Sequence, residues 1–212
     1  MTDLYFDFLC PYAWRGVELA AALRAGGERF RLRHYSLVEG NHPGNASELT
    51  WRLTEQPHAE GSAAQQGSLR AFVASHAAAA QGEEGHWAFT LALYRAVHEA
   101  KQPLEEATIM AAAETAGLDL AAFERARADN DARRAELRAE LDAAREVGVF
   151  GTPTFVLPTG EAAYYRFETL TRDPATAREW WTLYRTVLTS EAEIGTIKRA
   201  KNRPPRKGGV KA

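Results

Sequence analysis

The chain has 212 residues, of which 45% are hydrophobic and 25% are charged, a composition typical of a soluble globular protein. Its formal net charge of -2 provides no overall attraction to nucleic acid or to an anionic membrane surface. No apolar run approaches the roughly 18 residues that a membrane-spanning helix needs, so we expect neither nucleic acid nor membrane as a partner.

The first part of the chain alternates between strand and helix. The aromatic-rich run from Leu4 to Leu9 predicts a buried strand, and apolar residues at helical spacing predict a helix from Pro11 to the glycines at 26–27. Residues 30–37 predict a second strand. Glycine and proline are frequent from there to residue 61, which predicts a loop with one helical turn near 49–53.

The middle of the chain has a different composition. Between residues 62 and 147 alanine is abundant and glycine and proline are sparse, which predicts an all-helical insert. The helices are predicted over 63–80, 86–100, 105–116 and 120–146, the last with a break near residue 130. Asp119 is a natural N-cap for the helix that begins at Leu120.

The last part returns to strands. Residues 154–157 predict a strand, Pro158-Thr159-Gly160 a tight turn, and 162–167 the returning strand of a hairpin. A final helix over 175–190 has an aromatic stripe, and the basic stretch 198–212 is predicted to be a flexible tail. Because neither strand-bearing half can bury a sheet alone, we expect both halves to share one sheet.

Cys10 is the only cysteine of the chain, and it stands in "DFLCPYAW" between the first strand and the first helix. As N-cap of that helix it would face the free N–H groups of Tyr12 and Ala13 and the positive end of the helix dipole, which favour a thiolate. Taken alone, a lone cysteine is usually a small buried hydrophobic residue. The position at the corner favours a nucleophile. Arg15, further along the helix, is interpreted as a solvated surface residue.

The segment Cys10-Pro11-Tyr12-Ala13 after "YFDFL", together with "VFGTPTFV" over 149–156, resembles the DsbA branch of the thioredoxin-like superfamily, especially its FrnE-like members. The helical "GLDLAAF" stretch resembles that branch as well. The chain is also similar to 2-hydroxychromene-2-carboxylate isomerases and kappa-class glutathione transferases, which use a serine near the place of Cys10. The resemblance implies an α/β fold, a thioredoxin-like mixed sheet with an inserted all-helical domain, divided into 1–61, 62–147, 148–197 and the tail 198–212.

The resemblance also implies roles for particular residues. Cys10 corresponds to the nucleophilic cysteine, and Thr152-Pro153 corresponds to a loop with a cis proline beside that sulfur. The residues expected to contact the substrate are Pro11, Tyr12, Ala13, Trp14, Thr152 and Pro153. Ala13 stands where the family places its second, resolving cysteine, so a mixed disulfide at Cys10 has no internal thiol to resolve it.

The resulting hypothesis is a cytoplasmic monothiol thiol-disulfide oxidoreductase in which Cys10 attacks a disulfide. A sulfenic acid sensor, a glutathione-dependent transferase or isomerase and a decayed binding scaffold stay open as alternatives. We expect no tightly bound cofactor, with glutathione or another low-molecular-weight thiol as co-substrate. The expected partners are a small thiol or a disulfide-bearing protein, and a homodimer is left open. No secretory signal is visible.

The six histidines show no spacing of four residues between any pair, and there is no second cysteine to join them. The sequence therefore predicts no metal site.

Overall fold

The computed structural model describes residues 1–197, so the predicted basic tail at 198–212 lies outside the described residues. The strands are β1 (Thr2–Phe6), β2 (Phe30–His34), β3 (Thr154–Val156) and β4 (Ala162–Tyr164). The helices are α1 (Pro11–Arg24), α2 (Leu37–Gly40), α3 (Ala63–Ala79), α4 (Glu83–Tyr94), α5 (Glu106–Thr115), α6 (Leu120–Ala128), α7 (Asn130–Glu146) and α8 (Pro174–Leu188). Two 3₁₀ turns at Pro43–Asn45 and Leu53–Glu55 and a π-helical turn at Arg95–Glu99 complete the elements.

The four strands form one mixed sheet in the order β2-β1-β3-β4. β1 pairs with β2 in parallel and with β3 antiparallel, and β3 and β4 form an antiparallel hairpin. Strands from the two ends of the chain therefore lie side by side, as expected of halves that share one sheet. The fold is a thioredoxin-like α/β fold with a helical insertion between β2 and β3. The domain boundaries at 61 and 147 stay a prediction.

Both strands of the first half end earlier than predicted, and the reason is the same buried carboxylate. Asp7 directly follows β1, and its two oxygens accept the backbone N–H groups of Leu9 at 2.8 Å and Leu37 at 2.7 Å. Because of these hydrogen bonds, the backbone leaves the sheet directly after β1 and directly after β2. After β2, Ser36 caps the short helix α2 by accepting the N–H of Glu39.

The helical insertion follows local capping signals. Ser62 and Gln65 form a capping box at the start of α3, and Asp129 caps α7, which confirms the predicted break near residue 130. α4 begins three residues earlier than predicted, because Gly82 with φ of 101° supplies the turn before Glu83.

The core of the molecule lies between the sheet and its helices. α1 packs against α8 and α4, and α7 packs against β2. Two aromatic groups pack on the same face of the sheet, the first of them Phe6, Phe8, Phe72, Phe89 and Tyr94, the second Phe30, Phe155, Trp181 and Tyr184. Within residues 1–197 no helix has the length and apolar character that crossing a membrane requires. This packing places the N-terminus of α1 beside the loop before β3.

Candidate active site around Cys10

Cys10 is the N-cap of α1 and is only 6% exposed. Its Sγ atom accepts the backbone N–H of Ala13 at 3.4 Å, and the thiol donates to the backbone carbonyl of Thr152 at 3.2 Å. Of the two N–H groups predicted to face the sulfur, the structure shows a bond from Ala13. The sulfur therefore has a donor on the helix side and an acceptor on the loop side.

The loop that contacts the sulfur contains a cis peptide bond between Thr152 and Pro153. Both residues are buried, and the Thr152 hydroxyl is a buried group without a hydrogen-bond partner among the residues described. Gly16 on α1 allows this close approach, since a Cβ atom there would lie 2.9 Å from Cβ of Pro153. A side chain at position 16 would separate α1 from the loop.

We therefore expect Gly16→Val to lower the free energy of unfolding by about 3 kcal/mol, because the added carbons overlap the side-chain ring of Pro153, which is closed onto the backbone and cannot rotate away. Urea unfolding of the wild type and the variant measures the loss. Gly195→Val is the control, since nothing among residues 1–197 lies within 4 Å of a Cβ atom at that position. Equal stability of the two variants would contradict the steric argument.

Aromatic and cationic side chains lie next to the loop that contains the cis Thr152-Pro153 bond. Phe150, just before the loop, is 72% exposed, and its ring centroid lies 5.5 Å from that of Tyr164. Tyr12 on α1 stacks under the guanidinium of Arg166, with 3.8 Å from the Arg166 Cζ atom to the ring centroid. Arg15 lies 5.2 Å from the same ring and donates to the carbonyl of Phe167 at 2.9 Å. Arg15 is thus half-buried and bonded, which corrects its interpretation as a solvated surface residue.

Trp14 extends from α1 toward the helical insertion. Its ring stacks on that of His98 with centroids 5.8 Å apart, and its indole N–H donates to Glu18. His98 Nε2 lies 2.8 Å from the carbonyl oxygen of Phe8, and burial lowers the pKa of His98. The imidazole is therefore mostly neutral at pH 7.

Asp7 connects Cys10 to the core through hydrogen bonds to its backbone carbonyl. The Asp7 carbonyl accepts the N–H of Cys10 at 2.9 Å and the hydroxyl of Tyr94 at 2.8 Å. Burial raises the pKa of the Asp7 carboxyl to about 6, although its bonds from the Leu9 and Leu37 N–H groups act in the opposite direction. With this pKa the carboxyl is mostly ionised at pH 7 and takes up a proton as the pH falls through about 6.

The predicted site residues lie at one corner of the fold, with different exposure. Pro11 is exposed, Tyr12 and Trp14 are half-buried, and Ala13 is fully buried under the sulfur. Sequence reasoning missed Asp7, Phe150, Tyr164, Arg166 and His98. Asp7 and Phe150 belong to the quoted motifs around Cys10 and Pro153, whereas Tyr164, Arg166 and His98 come from separate segments for which no short motif exists.

A second group of titratable side chains lies between the sheet and the inserted helices. His34 at the end of β2, His76 on α3 and Glu140 on α7 place one ligand atom each within 4.8 Å of one another. Burial lowers the pKa of both His76 and the neighbouring His86 to about 3. Burial would raise the pKa of Glu140, but His34, His76 and Arg33 outweigh it and lower that pKa. These residues come from different elements, so spacing along the chain could not reveal the cluster.

A family model described as DSBA-like thioredoxin domain matches residues 1–172. Cytosolic disulfide reductase DsbM from Pseudomonas aeruginosa, solved with GSH, is 19% identical with a TM-score of 0.58 over 87% of this chain and 98% of that chain. A 2-hydroxychromene-2-carboxylate isomerase has the same identity and TM-score over 87% and 95% of the two chains.

A probable DsbA oxidoreductase from Streptomyces coelicolor is 18% identical with a TM-score of 0.60, over 94% of this chain and 93% of that chain. The search of the curated proteins finds no match. At these identities the solved structures establish a shared fold.

Proposed function

The chain belongs to the DSBA-like thioredoxin domain family, and from this premise we propose that it is a monothiol thiol-disulfide oxidoreductase with Cys10 as its nucleophile. The observation that carries the proposal is the position of the Cys10 sulfur, bonded to the Ala13 N–H at a helix N-terminus and next to the cis Thr152-Pro153 bond. No other cysteine exists in the chain, so the second thiol comes from solution.

In the first step the Cys10 thiolate attacks the glutathione sulfur of a mixed disulfide between a substrate and glutathione. The substrate–glutathione bond breaks, a bond from Cys10 to glutathione forms, and the substrate sulfur leaves with the electron pair and takes up a proton. A second glutathione thiolate then attacks this new disulfide and releases oxidised glutathione and the Cys10 thiolate. The Ala13 N–H stabilises the negative sulfur before attack and on release.

The groups next to Cys10 suit a small acidic thiol. Arg15 and Arg166 flank the Tyr12 ring, and guanidinium groups bind carboxylates such as the two of glutathione through paired hydrogen bonds. Cytosolic disulfide reductase DsbM, of the same fold, was solved with GSH, which supports glutathione as co-substrate here. We propose a cytoplasmic location, since a monothiol cycle needs a pool of reduced thiol.

The test uses a glutathionylated peptide and intact-mass measurement. We expect native protein to form a one-to-one glutathione adduct that reduced glutathione removes, and to release the peptide thiol at a rate that rises with glutathione concentration. Cys10→Ser, the matched variant with oxygen for sulfur, should form no adduct and fall to the uncatalysed rate.

Two other outcomes would reassign the site. A Cys10→Ser variant that still catalyses glutathione-dependent conjugation or isomerisation would indicate a transferase or isomerase, in which a bound thiol is activated. A sulfur that reacts with iodoacetamide only after denaturation would leave a binding scaffold. Either result would contradict the oxidoreductase.

A further inference from the structure

Three side chains from three elements converge beneath the sheet, in the cluster described above. His34 is 1% exposed, His76 is 8% exposed and the Glu140 side chain is 14% exposed. His34 Nδ1 and Glu140 Oε2 lie 2.5 Å apart, and His76 Nε2 lies 3.6 Å from the same carboxylate oxygen. Two imidazole nitrogens thus face one carboxylate oxygen in a buried space.

His76 provides an independent indication that this space takes a ligand. Its Nε2 atom is buried and has no hydrogen-bond partner within the part of the chain that the structure describes. A buried polar nitrogen without a partner is unfavourable, and native structures contain few such groups. An imidazole nitrogen is also the most common metal ligand in proteins.

A polar neighbour lies on the far side of each of these three groups. His34 Nε2 lies 2.8 Å from the hydroxyl of Ser75, and His76 Nδ1 lies 3.4 Å from a carboxylate oxygen of Glu136. Arg33 donates to the other oxygen of Glu140 at 3.0 Å. Metal-binding histidines are oriented in this way, with the second ring nitrogen held by a carboxylate, hydroxyl or carbonyl.

We propose that His34 Nδ1, His76 Nε2 and Glu140 Oε2 bind one divalent transition-metal ion, for which Zn²⁺ is the best-matched chemistry. Two imidazoles and one carboxylate form a known zinc donor set that leaves a fourth position for water or another ligand. Ligand atoms about 2.0–2.2 Å from zinc lie roughly 3.3 Å from each other, so His34 and Glu140 separate by less than about 1 Å on binding. The ion ties β2 to α3 and α7 and thereby joins the sheet to the helical insertion.

The full-length protein, stripped by dialysis against a chelator, is titrated with Zn²⁺ and separately with Co²⁺. We expect one equivalent of Zn²⁺ by calorimetry, and visible absorption bands of tetrahedral cobalt in the Co²⁺ complex. His76→Gln should weaken binding by at least about 100-fold, and Glu136→Gln by about 10-fold, since it removes only the orienting partner. His42→Gln, at a histidine that stacks on Trp51, should leave the affinity unchanged.

Wild-type protein that binds no stoichiometric Zn²⁺ would overturn the proposal without reference to any variant. Equal affinity of wild type and His76→Gln would also overturn it, because binding would then involve other groups. Glu136 is 44% exposed in its side chain, so its variant keeps the test independent of folding defects at the buried histidines.

Discussion

Replacing Glu18 with glutamine is expected to lower the free energy of unfolding by about 3 kcal/mol at pH 7, the low end for breaking a buried ion pair. Glu18 lies on α1 with its side chain 1% exposed. Its oxygens accept two bonds of 2.8 Å from Arg95 and one of 2.7 Å from Arg172. Glutamine keeps the shape, but it removes the negative charge and places an N–H₂ group against these donors.

The ion pairs of Glu18 with Arg95 and Arg172 stabilise the folded protein because they join three separate segments of the chain. Arg95 lies in the π-helical turn of the insertion, Arg172 lies after β4, and Glu18 belongs to the first helix. Both arginine side chains are more than 40% exposed, so water can partly hydrate them once Glu18 is lost. Because of this exposure, we expect the loss in free energy of unfolding to lie at the low end of the range for breaking a buried ion pair.

The pH dependence of this contribution has a defined sign. Burial alone would raise the pKa of Glu18, but hydrogen bonds from Arg95 and Arg172 outweigh it and lower the pKa from 4.5 to about 2. Because the pKa of the folded state is the lower one, the stabilisation is complete above about pH 4.5 and is lost as the pH falls toward 2. The difference in stability between wild type and Glu18→Gln should therefore shrink over that interval.

Urea unfolding at pH 7 and at several lower pH values measures both effects. The matched control is Glu99→Gln, which removes an exposed partner of Arg172 and should have a much smaller effect. An equal loss in the two variants, or a difference that does not change between pH 4.5 and 2, would contradict the role given to Glu18.

The order of elements could be predicted from the sequence because each signal is local. Pro11 at a helix start, Ser62 with Gln65, and Asp129 before α7 all act within one turn of the residues that they organise. The end of β2 differs from the predicted one because Asp7 accepts the N–H of Leu37, which is 30 residues away. No pattern within a short window contains that information.

The candidate site was predictable only where its residues form motifs. Cys10 and Thr152-Pro153 each stand in a recognisable segment, and the contact between them follows from the shared sheet. Arg166 over Tyr12, and the cluster of His34, His76 and Glu140, depend on how separate elements pack. For such groups the three-dimensional arrangement is the first place where the chemistry becomes visible.

Replacing Ala13 with cysteine is expected to convert the monothiol cycle into a dithiol cycle. Position 13 is three residues from Cys10 on the first turn of α1, and its N–H already contacts the Cys10 sulfur at 3.4 Å. A thiol held there attacks a Cys10 mixed disulfide within the molecule, at an effective concentration far above that of free glutathione. Release of the adduct should therefore become independent of glutathione concentration, whereas in wild type it should rise linearly.

Ala13→Ser is the matched control, because it adds an atom of similar position without a thiol. Ala13 is fully buried, so either substitution is expected to reduce stability by about 1–3 kcal/mol, and the serine variant separates that effect from the gain of chemistry. Each variant is mixed rapidly with the glutathionylated peptide at several glutathione concentrations, and intact mass of quenched samples measures the loss of the Cys10 adduct and the formation of the internal disulfide. If Ala13→Cys still needs external thiol while Ala13→Ser behaves like wild type, a thiol at position 13 does not reach the Cys10 mixed disulfide, which would contradict the predicted dithiol cycle.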